Sequence, residues 1–140
     1  MFSMFEKKNF DYEKISKKHH FNKNDLIKLD NLGHLIGLHS HSHPTLLEDY
    51  NYKEQKKEYT KCQSIISKIL DKPKNQINSM SHPCGSYNED TLKILKGLGI
   101  DLGFKCVMTV EKEKGMKKIN NSFLEIARTD HTEILKKMKG

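Results

Sequence analysis

Twice in this chain an apolar stretch breaks into a short polar elbow, and that repetition constrains the fold more than any other feature. The first elbow, His39-Ser40-His41-Ser42-His43-Pro44, follows Leu35-Ile36-Gly37-Leu38. The second, Ser81-His82-Pro83-Cys84-Gly85-Ser86-Tyr87-Asn88, lies about forty residues on and opens a helical pattern. Strand ends that turn into loops at the mouths of helices are where α/β folds build their sites.

The segments around the elbows alternate in type. Asn22 or Asn24 is suited to cap a short helix through Leu26, Ile27, Leu29 and Leu32, with Gly33 ending it in the left-handed conformation. Residues 35–39 then read as a short buried strand. Tyr52, Tyr59, Cys62, Ile66, Ile69 and Leu70 recur at helical spacing until Asp71-Lys72-Pro73 stops the run. Residues 77–81 form the next expected strand, and Ser86 with Glu89 is a capping-box signature for a helix over 89–98 that Gly99 ends. A strand over 102–108, a polar loop over 111–121, a strand over 123–127 and a helix over 132–139 complete the series. Such alternation predicts parallel βα units in one domain over residues 1–140.

Composition narrows the function classes. Lys and Arg outnumber Asp and Glu by 25 to 18, but the lysines are scattered rather than gathered on one motif, which argues against nucleic-acid binding. Hydrophobic residues make up only 35% of the chain and Trp is absent, so the core is lean or belongs to part of a domain. Cys62, Cys84 and Cys106 are odd in number and form no C-x-x-C pair, which fits reduced thiols in a cytoplasm. No apolar run reaches the ~18 residues of a membrane span, and Met1-Phe2-Ser3-Met4-Phe5 is followed at once by Glu6-Lys7-Lys8, so neither a transmembrane segment nor a signal peptide is expected.

Histidines at the mouth of a strand suggest a site for Zn²⁺ or a similar ion. An extended backbone over 39–43 puts His39, His41 and His43 on one face, whereas a helical turn pairs only His39 with His43. Pro44 disfavours the α conformation at His43, and spacing alone does not choose between them. An exposed polar loop that takes up metal adventitiously is the plainer alternative. A tight turn at Pro83-Cys84-Gly85 can present backbone N–H groups to a developing oxyanion. Cys84 is also readable as a nucleophile, although no base lies near it in sequence, or as an inert thiol; His82 reads as a pocket or a turn residue.

Together these residues resemble the polysaccharide deacetylases, carbohydrate esterases that share the NodB homology domain. The stretch Gly33-His34-Leu35-Ile36-Gly37-Leu38-His39-Ser40-His41-Ser42-His43-Pro44 is similar to the family's second motif, with Leu35 in place of the usual acid. Pro83-Cys84-Gly85-Ser86-Tyr87-Asn88 and the apolar series after it resemble the third motif and its helix. Arg128-Thr129-Asp130-His131 resembles a C-terminal Pro-Arg-x-Asp segment.

The resemblance implies a (β/α) barrel-like fold and metal-dependent removal of N-acetyl groups from an amino-sugar-containing glycan. It makes His39 and His43 the metal ligands, with zinc the expected ion and His41 at a variable position. It gives the backbone amide of Cys84 the oxyanion role, and brings Arg128 near the active site. There Arg128 would orient a catalytic carboxylate, and His131 is a candidate proton donor to the leaving amine; each also reads as a surface charge or helix cap.

Two departures matter. The family's first motif, Thr-Phe-Asp-Asp, supplies the base and a third, carboxylate ligand, and no such segment precedes His39; Phe10-Asp11 lacks an apolar strand leading in, so Asp11 is not given that role. Ser81 stands where the third motif often has Arg. The expectation is therefore an incomplete domain lacking its N-terminal strand, whose partners are a glycan or N-acetylated sugar and a separate N-terminal segment. A non-catalytic pseudoenzyme or carbohydrate-binding remnant is the alternative, and a basic scaffold the third reading.

Overall fold

The computed structural model describes residues 11–106, 122–129 and 131–139. The chain divides into two compact units, Met1–His34 and Leu35–Gly140.

In the first unit, α1 (Tyr12–His19) starts at Asp11, whose carboxylate accepts the Lys14 N–H at 2.9 Å. The sequence pattern did not anticipate this helix, and it gives Asp11 an ordinary capping role. Helix α2 (Lys23–Asn31) carries a full capping box between Asn22 and Asp25, and Gly33 takes φ +86° beyond its end.

The second unit is organised around a parallel βαβ crossover. Strand β1 (Ser79–Ser81) leads through α4 (Glu89–Gly97) to β2 (Leu102–Phe104), with Ser79, Met80 and Ser81 paired to Leu102, Gly103 and Phe104. Parallel bridges flank the pair, Leu38 to Met80 on one side and Phe104 to Ile126 on the other. The two outer strands expected over 35–39 and 123–127 are thus reduced to single bridges. Leu38 makes only the bonds Leu38 N–H to Ser79 O (2.8 Å) and Ser81 N–H to Leu38 O (3.0 Å), and a turn closed by the Glu125 N–H on Ser122 O (3.0 Å) consumes residues 122–125. The strand expected to reach 108 ends at Phe104; residues 107 and 108, and the loop over 111–121, lie outside the described residues.

Helix α3 (Tyr52–Leu70) has the predicted bounds, with an Asn51/Glu54 capping box at its start and Asp71 in the left-handed region at its end. Its buried stripe is Gln55, Tyr59, Gln63 and Ile66, so half of it is polar. Gln63 Nε2 donates to the end of α4 at Leu98 O (2.9 Å) and lies within bonding distance of Lys74 O (3.2 Å) and Ile77 O (3.3 Å). Gln55 donates to Tyr50 O (2.8 Å) and accepts from the Thr91 hydroxyl (2.6 Å) on α4. Buried amides are tolerated only when paired in this way.

The cap of α4 also differs from expectation. Asn88 and Thr91 form its capping box, while the Ser86 hydroxyl instead accepts the Glu48 N–H at 3.0 Å. The core joins Leu38, Leu47, Tyr59, Ile66, Ile77, Met80, Ile94, Leu95, Ile100 and Leu124. Because side chains alternate along a strand, Ser79, Ser81, Leu102 and Phe104 turn away from the buried Met80 and Gly103. With Leu35, Gly37 and His39 they line a cavity of about 290 Å³. Helix α5 (His131–Lys139) follows, exposed from 131 to 138. Among the described residues no helix is long and apolar enough to cross a membrane.

Candidate functional site

The first elbow is neither extended nor helical. Ser40 and His43 both take left-handed backbone conformations, φ +58° and +54°. Each such non-glycine residue costs about 1–2 kcal/mol unless neighbours hold it. The Ser40 hydroxyl, nearly buried, accepts the His43 N–H at 3.1 Å and closes the turn. The double reversal brings the exposed His39 and His43 rings to a centroid distance of 4.8 Å with planes at 57°, and leaves His41 out of the pair.

The orientation of His39 is set by the second elbow. Its Nδ1 lies 2.8 Å from Ser81 O and 3.0 Å from the Ser81 hydroxyl. A carbonyl can only accept, so Nδ1 carries the proton and Nε2 presents its lone pair. Ser81 is thus the residue that joins the two elbows.

Helix α3 supports the same loop from the other side. Glu58 Oε2 accepts the N–H groups of His41 (2.9 Å) and Ser42 (2.8 Å). Burial pushes this carboxyl upward, but the Ser42 N–H and hydroxyl and the His41 N–H outweigh it and hold Glu58 below the usual carboxylate range. Burial raises the Cys62 thiol above its ordinary value.

The second elbow is a tight turn. The Gly85 N–H bonds to His82 O (3.1 Å) and the Ser86 N–H to Pro83 O (2.9 Å), with Cys84 at φ +51° and Gly85 at φ +73°. The Cys84 side chain is exposed, and its N–H has no hydrogen-bond partner among the described residues. A side chain at Gly85 is strained by its φ of +73°, and a Cβ there would require Cys106 Sγ to move.

His82 anchors this turn from inside. It is 1% exposed, and its Nε2 lies 2.8 Å from Leu124 O, so Nε2 carries the proton and the buried Nδ1 has no hydrogen-bond partner among the described residues. Its ring stacks on Tyr87 at 4.2 Å, and the Tyr87 hydroxyl donates to Glu125 Oε1 at 3.0 Å. Burial lowers the His82 pKa, with the Leu124 carbonyl and Glu125 opposing only in part.

The sign of the pH effect follows from that direction. A folded-state pKa below the ordinary ~6.5 means that the neutral ring's contribution is complete above about pH 6.5 and is lost as pH falls toward the lowered value. Urea unfolding of the metal-free chain at pH 7.5, 6.5 and 5.5 is expected to show declining stability over the lower interval. His82→Gln is expected to flatten that slope; an unchanged slope would show that His82 is not its source.

The structure therefore brings His39, His43 and Ser81 together. Arg128 is exposed and no hydrogen bond or ring contact links it to them, and His131 stands exposed at the first residue of α5. Glu58 and the Tyr87–Glu125 pair are contributors that sequence reasoning missed. Glu58 sits at helical spacing from Cys62, but beside lysines it reads as a solvated face.

Two imidazoles on one tetrahedral zinc at the usual Zn–N distance place their ring centres about 5 Å apart, so the His39–His43 arrangement fits two nitrogen donors to one ion. Among the described residues no group of three His, Cys, Asp or Glu is placed to hold a metal.

The polysaccharide deacetylase family model matches residues 9–103, well over half of the chain. The chain belongs to the polysaccharide deacetylase family. No curated protein sequence matches this family member significantly. Among solved structures, it resembles the Streptococcus pyogenes deacetylase PplD in complex with acetate, with TM-score 0.63 and 21% identity over 79% of this chain and 44% of that one. It also resembles the BpsB deacetylase domain from Bordetella bronchiseptica, with TM-score 0.61 and 15% identity over 78% of this chain and 48% of that one. At these identities the likeness is one of fold, and this deacetylase-family chain spans less than half the length of either structure.

Proposed function

We infer that this chain forms part of a metal-dependent deacetylase that hydrolyses N-acetyl groups on an amino-sugar-containing glycan. The observation that carries the reading is His39, whose Nδ1 is engaged by Ser81 O at 2.8 Å so that Nε2 is available beside the His43 ring. A histidine ligand fixed in its tautomer by a carbonyl is the common arrangement in metal sites.

His39 and His43 would hold the ion, zinc being the family's expected choice. Bound there, it would polarise the acetyl carbonyl and lower the pKa of a water. The Cys84 N–H would donate to the oxyanion as water adds to the carbonyl carbon, a role indifferent to the change from Tyr to Cys. Arg128 would orient the catalytic carboxylate and His131 would return a proton to the departing amine, giving acetate and a free amino sugar. The base and a third ligand would come from a segment N-terminal to this fold, supplied in cis or in trans and completing a barrel-like sheet. Three unpaired cysteines support a reducing, cytoplasmic setting.

A second reading, a carbohydrate-binding relative without chemistry, is favoured by the two-imidazole donor set alone, since catalytic zinc sites use three protein ligands. Acetate release from N-acetylglucosamine oligomers separates the two. With Zn²⁺ and an Asp-bearing N-terminal segment of the family added, turnover is expected; oligomer binding with no acetate under every such condition would establish the second reading.

A further inference from the structure

The loop that carries His39 and His43 holds two non-glycine residues in left-handed conformations, a cost that its neighbours must offset. Beyond the Ser40 turn and the Ser81 contact, what holds the backbone between the two rings comes from α3. Glu58 Oε2 takes the N–H groups of His41 and Ser42 at 2.9 and 2.8 Å. The helix presenting it is fixed by Tyr59 and Gln63, which are 0% and 1% exposed.

The partners of Glu58 indicate what it is for. In a chain with 25 Lys and Arg, no lysine or arginine pairs with it among the described residues; its hydrogen-bond partners are the N–H groups of His41 and Ser42. A carboxylate that accepts two successive N–H groups between two ring-bearing residues fixes the path from one ring to the other.

The geometry points to Glu58 as a positioning residue that sets the His39–His43 spacing, and so the affinity of that pair for a divalent cation. Glu58 touches no metal in this account and acts through the loop backbone. The inference rests on the metal-binding reading proposed above.

The test is Zn²⁺ affinity of the whole chain, measured by competition with a chromophoric chelator, alongside a melting curve for each variant. Glu58→Ala is expected to weaken binding about 10- to 100-fold, the usual cost of removing a residue that supports a ligand. Glu58→Gln, whose amide oxygen still accepts from the same N–H groups, is expected to stay within about threefold of wild type. In a His43→Ala background, Glu58→Ala is expected to cost less than about twofold, because the spacing it sets no longer has two rings to relate. A purely structural role would lower the melting temperature without that coupling. Should Glu58→Ala fail to fold, Glu58→Asp, one methylene too short to reach both N–H groups, is expected to lose about tenfold.

A folded Glu58→Ala or Glu58→Asp chain with wild-type affinity overturns the inference, as does an equal loss with His43 present or absent. A wild-type chain whose Zn²⁺ uptake is indifferent to His39 and His43 overturns the metal reading itself, and this inference with it.

Discussion

Replacing His39 by alanine is expected to weaken Zn²⁺ binding by more than about 100-fold, and His43→Ala by a similar factor, since each removes a first ligand where even supporting residues cost 10- to 100-fold. The fold is expected to survive. Both rings are exposed, and the bonds lost at His39 are the contacts of Nδ1 with Ser81, worth about 1 kcal/mol. His41→Ala is the informative control, because position 41 contributes its N–H to Glu58 and its ring stands outside the His39–His43 pair. Titration of the three variants with Zn²⁺ checks the expectation. Equal losses at 39, 41 and 43 would mean that the elbow binds metal as a histidine-rich surface loop, with no defined pair.

The second large effect is expected at Gly37. A Cβ there would lie 2.8 Å from Ser79 Oγ and 2.9 Å from Ser79 O, and the latter is the carbonyl that receives the Leu38 N–H. The hydroxyl can rotate away, but the carbonyl belongs to β1 and cannot. Gly37→Ala must therefore push residues 37–39 off the sheet edge, losing a ladder bond and straining the packing of the fully buried Leu38. About 2–4 kcal/mol of stability should go, from overpacking of 1–3 and a hydrogen bond of about 1. Zn²⁺ affinity should fall with it, because His39 is the next residue but one and reaches Ser81 across the same seam. Gly97→Ala, with nothing within 4 Å of its Cβ at the end of α4, is expected to be neutral or slightly stabilising. Urea denaturation of both variants provides the comparison; equal stability would mean that the close approach at Gly37 is relieved at no cost.

The bounds of α3 were legible because its stop signals are local: Asn51 caps it, and Asp71 and Pro73 end it. Its buried face was only half legible. Gln55 and Gln63 formed no part of the apolar pattern, and nothing nearby in sequence announces that the carbonyls of Tyr50, Ile77 and Leu98 will need donors there. The cap of α4 was misplaced for a related reason. Ser86 and Asn88 both begin acceptable boxes, and the choice turns on the Glu48 N–H, which occupies Ser86 from across the fold.

At the candidate site, the sequence marked His39 and His43 but left their pairing open between two regular conformations. The backbone adopts neither, since Ser40 and His43 reverse the chain twice. Glu58 was invisible because its partners are 16 and 17 residues away on another element. Residues 123–127 were expected as a strand, yet the Ser122 hydroxyl donates to the Glu125 carboxylate at 2.7 Å and draws the chain into a turn.

The turn at Cys84 separates two things that evolution usually treats together. Its side chain is exposed while its N–H stays inside a geometry set by His82, Pro83 and Gly85. Any residue except proline inherits that N–H, so a lineage can drift at position 84 among side chains tolerant of a positive φ without touching what the backbone offers. Substitution at position 84 is therefore expected to alter the exposed surface of the turn and leave its backbone donor where it is, whereas Pro83 and Gly85 hold the turn itself.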